Sequence, residues 1–96
     1  MSEIPELTES DFERSIPRSV RRRLIAGDFR SASDVKALRR FLGLTQVQLA
    51  TAIGISVHTL QGWEQGRRMP EGPSRALLRI AARHPRVILE NLQKAA

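Results

Sequence analysis

From residue 31 onward, apolar side chains recur at steps of three and four, the period of amphipathic helices rather than strands. Val35, Leu38, Phe41 and Leu42 form one stripe. Ser31 and Asp34 stand ahead of it in capping-box spacing, and Gly43 stops it. Leu49, Ala50 and Ile53 form a second stripe, opened by Thr45 with Gln48 and closed by Gly54. Ser56 then caps a third helix whose inward residues are Leu60 and Trp63, with Gly66 as its stop. A loop containing Pro70, Gly72 and Pro73 follows. Residues 74–83 turn Leu77, Leu78, Ile80 and Ala81 toward the core, His84 and Pro85 break the chain, and residues 86–94 form a last helix. The expected fold class is all-α, a compact five-helix domain over residues 33–96.

Residues 1–32 read differently. Glu3, Glu6, Glu9, Asp11 and Glu13 fall within the first thirteen positions, which hold no basic residue. The next seventeen carry Arg14, Arg18, Arg21, Arg22, Arg23 and Arg30 against Asp28 alone. Thr8 and Asp11 have the spacing to cap a short helix containing Phe12. Pro17 suits the first turn of another, with Val20 and Leu24 on one face and Gly27 as the stop. The apolar residues here are too scattered for a separate core. The segment is expected to be a helical or partly disordered arm whose Phe12, Ile16, Val20 and Leu24 dock on a partner. The run Arg21-Arg22-Arg23 suits phosphate, a partner's acidic patch or solvent equally well.

Charge adds a class of partner. A net charge of +6 and a pI near 11.4 favour a polyanion. With no cysteine there is neither a disulfide framework nor a cysteine-type zinc site. No apolar run approaches membrane-span length, and the acidic start is unlike a secretory signal, so a cytoplasmic location is expected. His58 and His84 are the only histidines, and no catalytic constellation is visible. Neither an enzyme, a cofactor nor a metal is expected.

The spacing in residues 45–66 says more than helix, turn, helix. Ala50 stands where two steeply crossing helices come closest, Gly54 lies four residues on in the turn, and Leu60 and Trp63 close the core. Val57, His58, Gln61 and Gly62 share the opposite face of the second helix. An α-helix fits the major groove, and residues of its first turns reach base edges. Val57 offers apolar surface to a thymine methyl, His58 a donor to guanine, and Gln61 an amide to adenine or to a phosphate. Gly62 lets the helix backbone come close. Gln46 opens the preceding helix, where unpaired N–H groups favour an anion, so it is expected to hold a phosphate. Thr45, Ser56, Thr59, Arg67 and Arg68 are further phosphate candidates. Val87, Ile88, Leu89 and Leu92 exceed what one side of a terminal helix needs, and point to a homodimer interface.

At Gln46, Ala50, Gly54, Ile55, Leu60, Trp63, Glu64 and Gly66 the stretch resembles the helix-turn-helix of the lambda-repressor/Cro-like (XRE) family. That resemblance implies a lambda-repressor-like DNA-binding fold, a core role for Trp63, and the same phosphate role for Gln46. Across residues 34–86, with WEQGRR and GPSRALLRI as the most specific points, the chain is similar to HigA-type antitoxins of type II toxin–antitoxin operons. The resemblance implies repression of its own operon through double-stranded operator DNA, and neutralisation of an mRNA-cleaving toxin. Residues 1–32 are the candidate toxin-binding or dimer-contact segment. The alternatives are a stand-alone XRE-type regulator without a toxin, and an RNA-binding or architectural protein that uses the basic face without base readout.

Overall fold

The computed structural model describes residues 16–95, which contain six helices and no strand. They are α1 (Arg18–Ile25), α2 (Ala32–Leu42), α3 (Gln46–Ile53), α4 (Val57–Glu64), α5 (Pro73–Arg83) and α6 (Pro85–Ala95). Phe12 and the expected Thr8–Asp11 cap lie outside the described residues.

Local chemistry sets the boundaries. The Thr45 hydroxyl accepts the Gln48 N–H at 3.1 Å, and the Gln48 side-chain oxygen accepts the Thr45 N–H at 2.9 Å, which closes the capping box of α3. Gly54 ends α3 at φ +77°, a left-handed conformation that glycine adopts without strain. It allows the Gly54 and Ile55 amides both to return to the Ala50 carbonyl, at 2.9 and 3.0 Å, so the chain reverses within a residue or two. The Ser56 hydroxyl accepts the Thr59 N–H at 3.0 Å and starts α4.

One core serves all six helices. Leu24, Leu38, Phe41, Leu42, Leu49, Leu60 and Leu78 are fully buried in it, and Trp63 is buried beside them. α2 packs against α1, α4 and α5, and α3 against α4 and α6. α1 lies against α5.

The extra helix, α1, is therefore part of the body and not an arm. Leu24 is 0% exposed, and Ile16 and Phe29 are buried with it. Two of the four residues expected to dock on a partner, Ile16 and Leu24, are thus already used within the chain. Val20 is half-buried against the same core. The triple arginine is also not a free basic patch. The Arg21 guanidinium lies 5.1 Å from the Phe41 ring centroid, as a cation over an aromatic face. Arg23 makes a two-pronged pair with Asp34, Nη1 to Oδ2 at 2.9 Å and Nη2 to Oδ1 at 3.0 Å.

Asp34 gathers more than this pair. Its Oδ2 also accepts the Arg30 N–H at 2.8 Å and the Ser31 N–H at 3.3 Å, so one carboxylate joins α1, the linker and the start of α2. The Arg23 guanidinium, helped by the two backbone donors, holds this carboxyl below its ordinary pKa despite burial. A carboxyl that stays ionised in the folded chain after it would protonate in the unfolded one stabilises fully above the unfolded value of about 4. That contribution disappears as pH falls through the lower folded value. Asp34→Asn should therefore lower the thermal midpoint at neutral pH and flatten its fall below about pH 4. An unchanged acid limb in a pH series of melts would remove Asp34 from this role.

Two expectations at the C-terminal end are corrected. Ile80 is 39% exposed. The inward arc of α5 centres on Leu78, Ala81 and Ala82, and two helical residues turn about 200°, which carries Ile80 away from Leu78. In α6, Ile88, Leu89 and Leu92 are buried within the same chain, where α6 packs on α3 and α5. Of the four aliphatics expected at a dimer interface, Val87 is the open one, at 50% exposure. The Asn91 side chain adds a hydrogen bond to the Ala52 carbonyl across the α3–α6 seam.

Candidate nucleic-acid interface

α4 is held by its inward side. Leu60 is fully buried, Trp63 nearly so, and Glu64 one turn after Leu60 points the same way. A carboxylate on a buried face needs a cation, and α2 supplies it. Arg39 Nε donates to Glu64 Oε2 at 2.8 Å and Nη2 to Oε1 at 3.1 Å, while Nη1 donates to the Leu44 carbonyl at 3.0 Å. The Glu64 side chain is 2% exposed and that of Arg39 16%. Arg39 is thus turned toward the core side of α2, while its neighbour Arg40 is exposed. The two side chains lock α4 to the helix behind it.

Glu64 also reaches forward. Its Oε1 accepts from Gln46 Nε2 at 3.3 Å, and Gln46 Oε1 accepts from Gln61 Nε2 at 3.3 Å. Gln46 and Gln61, expected as a phosphate ligand and a base reader, are thus joined side by side at the head of the helix pair. Gln61 is left with its carbonyl oxygen and one amide hydrogen for other partners.

The remaining expected residues divide by exposure. His58, Thr59, Gly62, Arg67 and Arg68 line one cleft between α4 and the loop behind it. His58, Arg67 and Arg68 are exposed there. Gly62 is shielded along its backbone, because its carbonyl accepts the Arg67 and Arg68 amides at 2.9 and 3.4 Å. A methyl group added at Gly62 would meet nothing within 4 Å. Thr45 and Ser56 are exposed, but their oxygens serve first as helix caps, and the Ser56 hydroxyl also donates to Thr59 Oγ1 at 2.9 Å. Val57 is half-buried and packs against the core, so only part of it faces outward. The Arg67 guanidinium donates to the Gln65 side chain.

The charge balance of this surface is one-sided. Between residues 45 and 68, Glu64 is the only acidic side chain, and it is buried and neutralised by Arg39. What α4 and the loop as far as Arg68 present is His58, two arginines, and uncharged hydroxyl and amide groups; the next acid, the exposed Glu71, lies further along the loop. Such a surface suits a polyanion with hydrogen-bonding edges. Sequence reasoning missed Arg39. The signal that could have found it is Glu64 itself, an acid on the buried stripe of α4.

Among the described residues, no helix is long and apolar enough to cross a membrane. Comparison with known proteins agrees with the geometry. Antitoxin HigA-2 of Vibrio cholerae serotype O1 is 31% identical over 58 residues, covering 60% of this chain and 56% of that protein. The chain thus spans little more than half the length of this curated relative. No solved structure matches significantly. Residues 31–87 match the family described as a helix-turn-helix domain, so that α2 to the start of α6 fall inside it. With α3 and α4 as its two motif helices, the chain belongs to the XRE-type helix-turn-helix family.

Proposed function

We propose that the protein is a sequence-specific DNA-binding repressor that acts as the antitoxin of a type II toxin–antitoxin pair. It would repress its own operon and neutralise an mRNA-cleaving toxin in the cytoplasm, without enzymatic activity of its own. The observation that carries DNA binding is the neutral-to-positive surface from Thr45 to Arg68, whose one carboxylate, Glu64, is turned inward onto Arg39. His58, Gln61 and the outer part of Val57 read base edges, and Gly62 keeps the cleft between them and the arginines open. Gln46, Thr45, Ser56, Thr59, Arg67 and Arg68 hold phosphates, which set position and affinity while base contacts set sequence. The antitoxin role is supported by the named relative and goes no further than that likeness.

A repressor of this kind reads only a few base pairs per copy, and two copies on a pseudo-palindrome stand about 34 Å apart. Val87 and the exposed Ile80 border one groove with Glu90 and Lys94. We assign the homodimer contact to this groove, where an antiparallel partner helix would bring Glu90 opposite the partner copy's lysine at 94.

The test is binding to the protein's own promoter beside random duplex. His58→Ala should cost about 1–3 kcal/mol on the preferred site and relax its sequence choice. Arg67→Ala should weaken both duplexes alike and reduce the salt slope by about one ion. Equal loss on both duplexes for His58→Ala would leave an architectural or RNA-binding protein as the better reading. Co-expression with the neighbouring small open reading frame separates an antitoxin from a stand-alone regulator: an antitoxin rescues growth and co-purifies, and a stand-alone regulator does neither.

Gly62 gives a result of opposite signs. An interior helical glycine is about 0.8–1 kcal/mol worse than alanine, and here the added methyl has room. Gly62→Ala should therefore raise the melting temperature and still weaken promoter binding. A variant that gains stability and keeps full affinity would show that the cleft is not used.

A further inference from the structure

The outer face of α1 holds two arginines, Arg18 and Arg22, that the core and the helix-turn-helix do not use. Arg18, Arg21, Arg22 and Ile25 are spaced three and four apart, so they share one face of α1. With Ile16 they line a cleft whose exposed lining is mostly apolar and whose rim is basic. Arg18 and Arg22 are exposed, with no ion pair among the described residues. Arg21 Nε is covered and meets no acceptor there, and its charge rests on the Phe41 ring rather than on a carboxylate. Two free guanidinium groups, with the Arg21 charge beside them, around an apolar floor fit a ligand with carboxylates and interleaved apolar side chains.

We infer that this cleft is the docking site for the acidic stretch at the start of the same chain. Residues 3–13 carry Glu3, Glu6, Glu9, Asp11 and Glu13 with no basic residue, and Ile4, Leu7 and Phe12 fall between them. That is the composition the cleft asks for. The stretch also enters the described chain at Ile16, which forms one wall of the cleft. Reach is no obstacle. A strand advances about 3.3 Å per residue and a helix about 1.5 Å, so four extended residues span all eight of α1. Residues 9–13, within that reach of Arg18 and Arg22, hold three carboxylates and Phe12.

The full chain contains no cysteine, so Ser2→Cys gives a unique attachment point for a spin label. In low salt, the label should selectively broaden the amide signals of α1. Arg18→Glu with Arg22→Glu should abolish that broadening, as should about 1 M salt, where the Debye length is about 3 Å. The salt arm uses the unaltered arginines, so the test holds even if the double variant is poorly folded. Broadening confined to α4 would place the acidic stretch on the recognition surface instead and overturn the inference. So would broadening that is uniform, or that arises only between labelled and unlabelled molecules in a mixed sample.

Discussion

Arg39→Leu should remove about 3–5 kcal/mol of stability, because it strands the Glu64 carboxylate in the core with its cation gone. Small domains have only about 5–15 kcal/mol in total, so the variant should unfold at markedly lower urea. The double variant Arg39→Leu with Glu64→Leu should regain much of the loss, since two well-packed apolar side chains replace a buried pair at little cost. DNA binding should not recover in step. Glu64 Oε1 is one of the two groups that fix the Gln46 amide, and without it the phosphate ligand proposed at the head of α3 is free to turn. Denaturation curves for the three proteins, set beside promoter titrations, decide the matter. A loss below about 1 kcal/mol for Arg39→Leu would place the pair with ordinary surface ion pairs.

This pair also marks the limit of what the chain reveals as text. The caps of α3 and α4 are legible because both partners lie within three residues of one another, and so are the turn at Gly54 and the stop at Gly43. The inward residues Leu49, Ala50, Leu60 and Trp63 follow from helical period alone. Arg39 and Glu64 are 25 residues apart, and nothing in the local pattern selects Arg39 over Lys36 or Arg40 as the partner. Gln61 to Gln46 is the same kind of contact, since the turn decides which amide on α4 comes to face the first residue of α3. The helices and their inward residues were therefore readable, but the long-range hydrogen-bonding partners were not.

The ends of the domain fail for a different reason. A short amphipathic helix looks the same whether its apolar side meets its own chain or another. Val87, Ile88, Leu89 and Leu92 read as a surplus only if α6 has one neighbour, and it has two, α3 and α5. Ile16 and Leu24 read as docking residues because the apolar residues around them are too scattered for a core of their own. In the folded chain Arg23 and Arg21 are turned inward as well, one to Asp34 and one to Phe41.

The consequence for the N-terminal segment can be tested directly. Leu24→Ala should cost about 2–5 kcal/mol, the loss expected for a fully buried leucine whose site cannot collapse. Removing residues 1–32 would take Ile16, Leu24 and Phe29 from the core and Arg23 from Asp34 together. That truncation should abolish a cooperative thermal transition, and promoter binding with it. Removing residues 1–15 leaves every one of these contacts in place and should keep both. A toxin-capture experiment therefore belongs on the shorter truncation, where a loss of capture reports on the toxin and not on the fold. Should Leu24→Ala melt within about 1 kcal/mol of the parent, far below the cost of emptying a core site, α1 would be an appendage after all. Ile16, Val20 and Leu24 would then return as surface available to a partner.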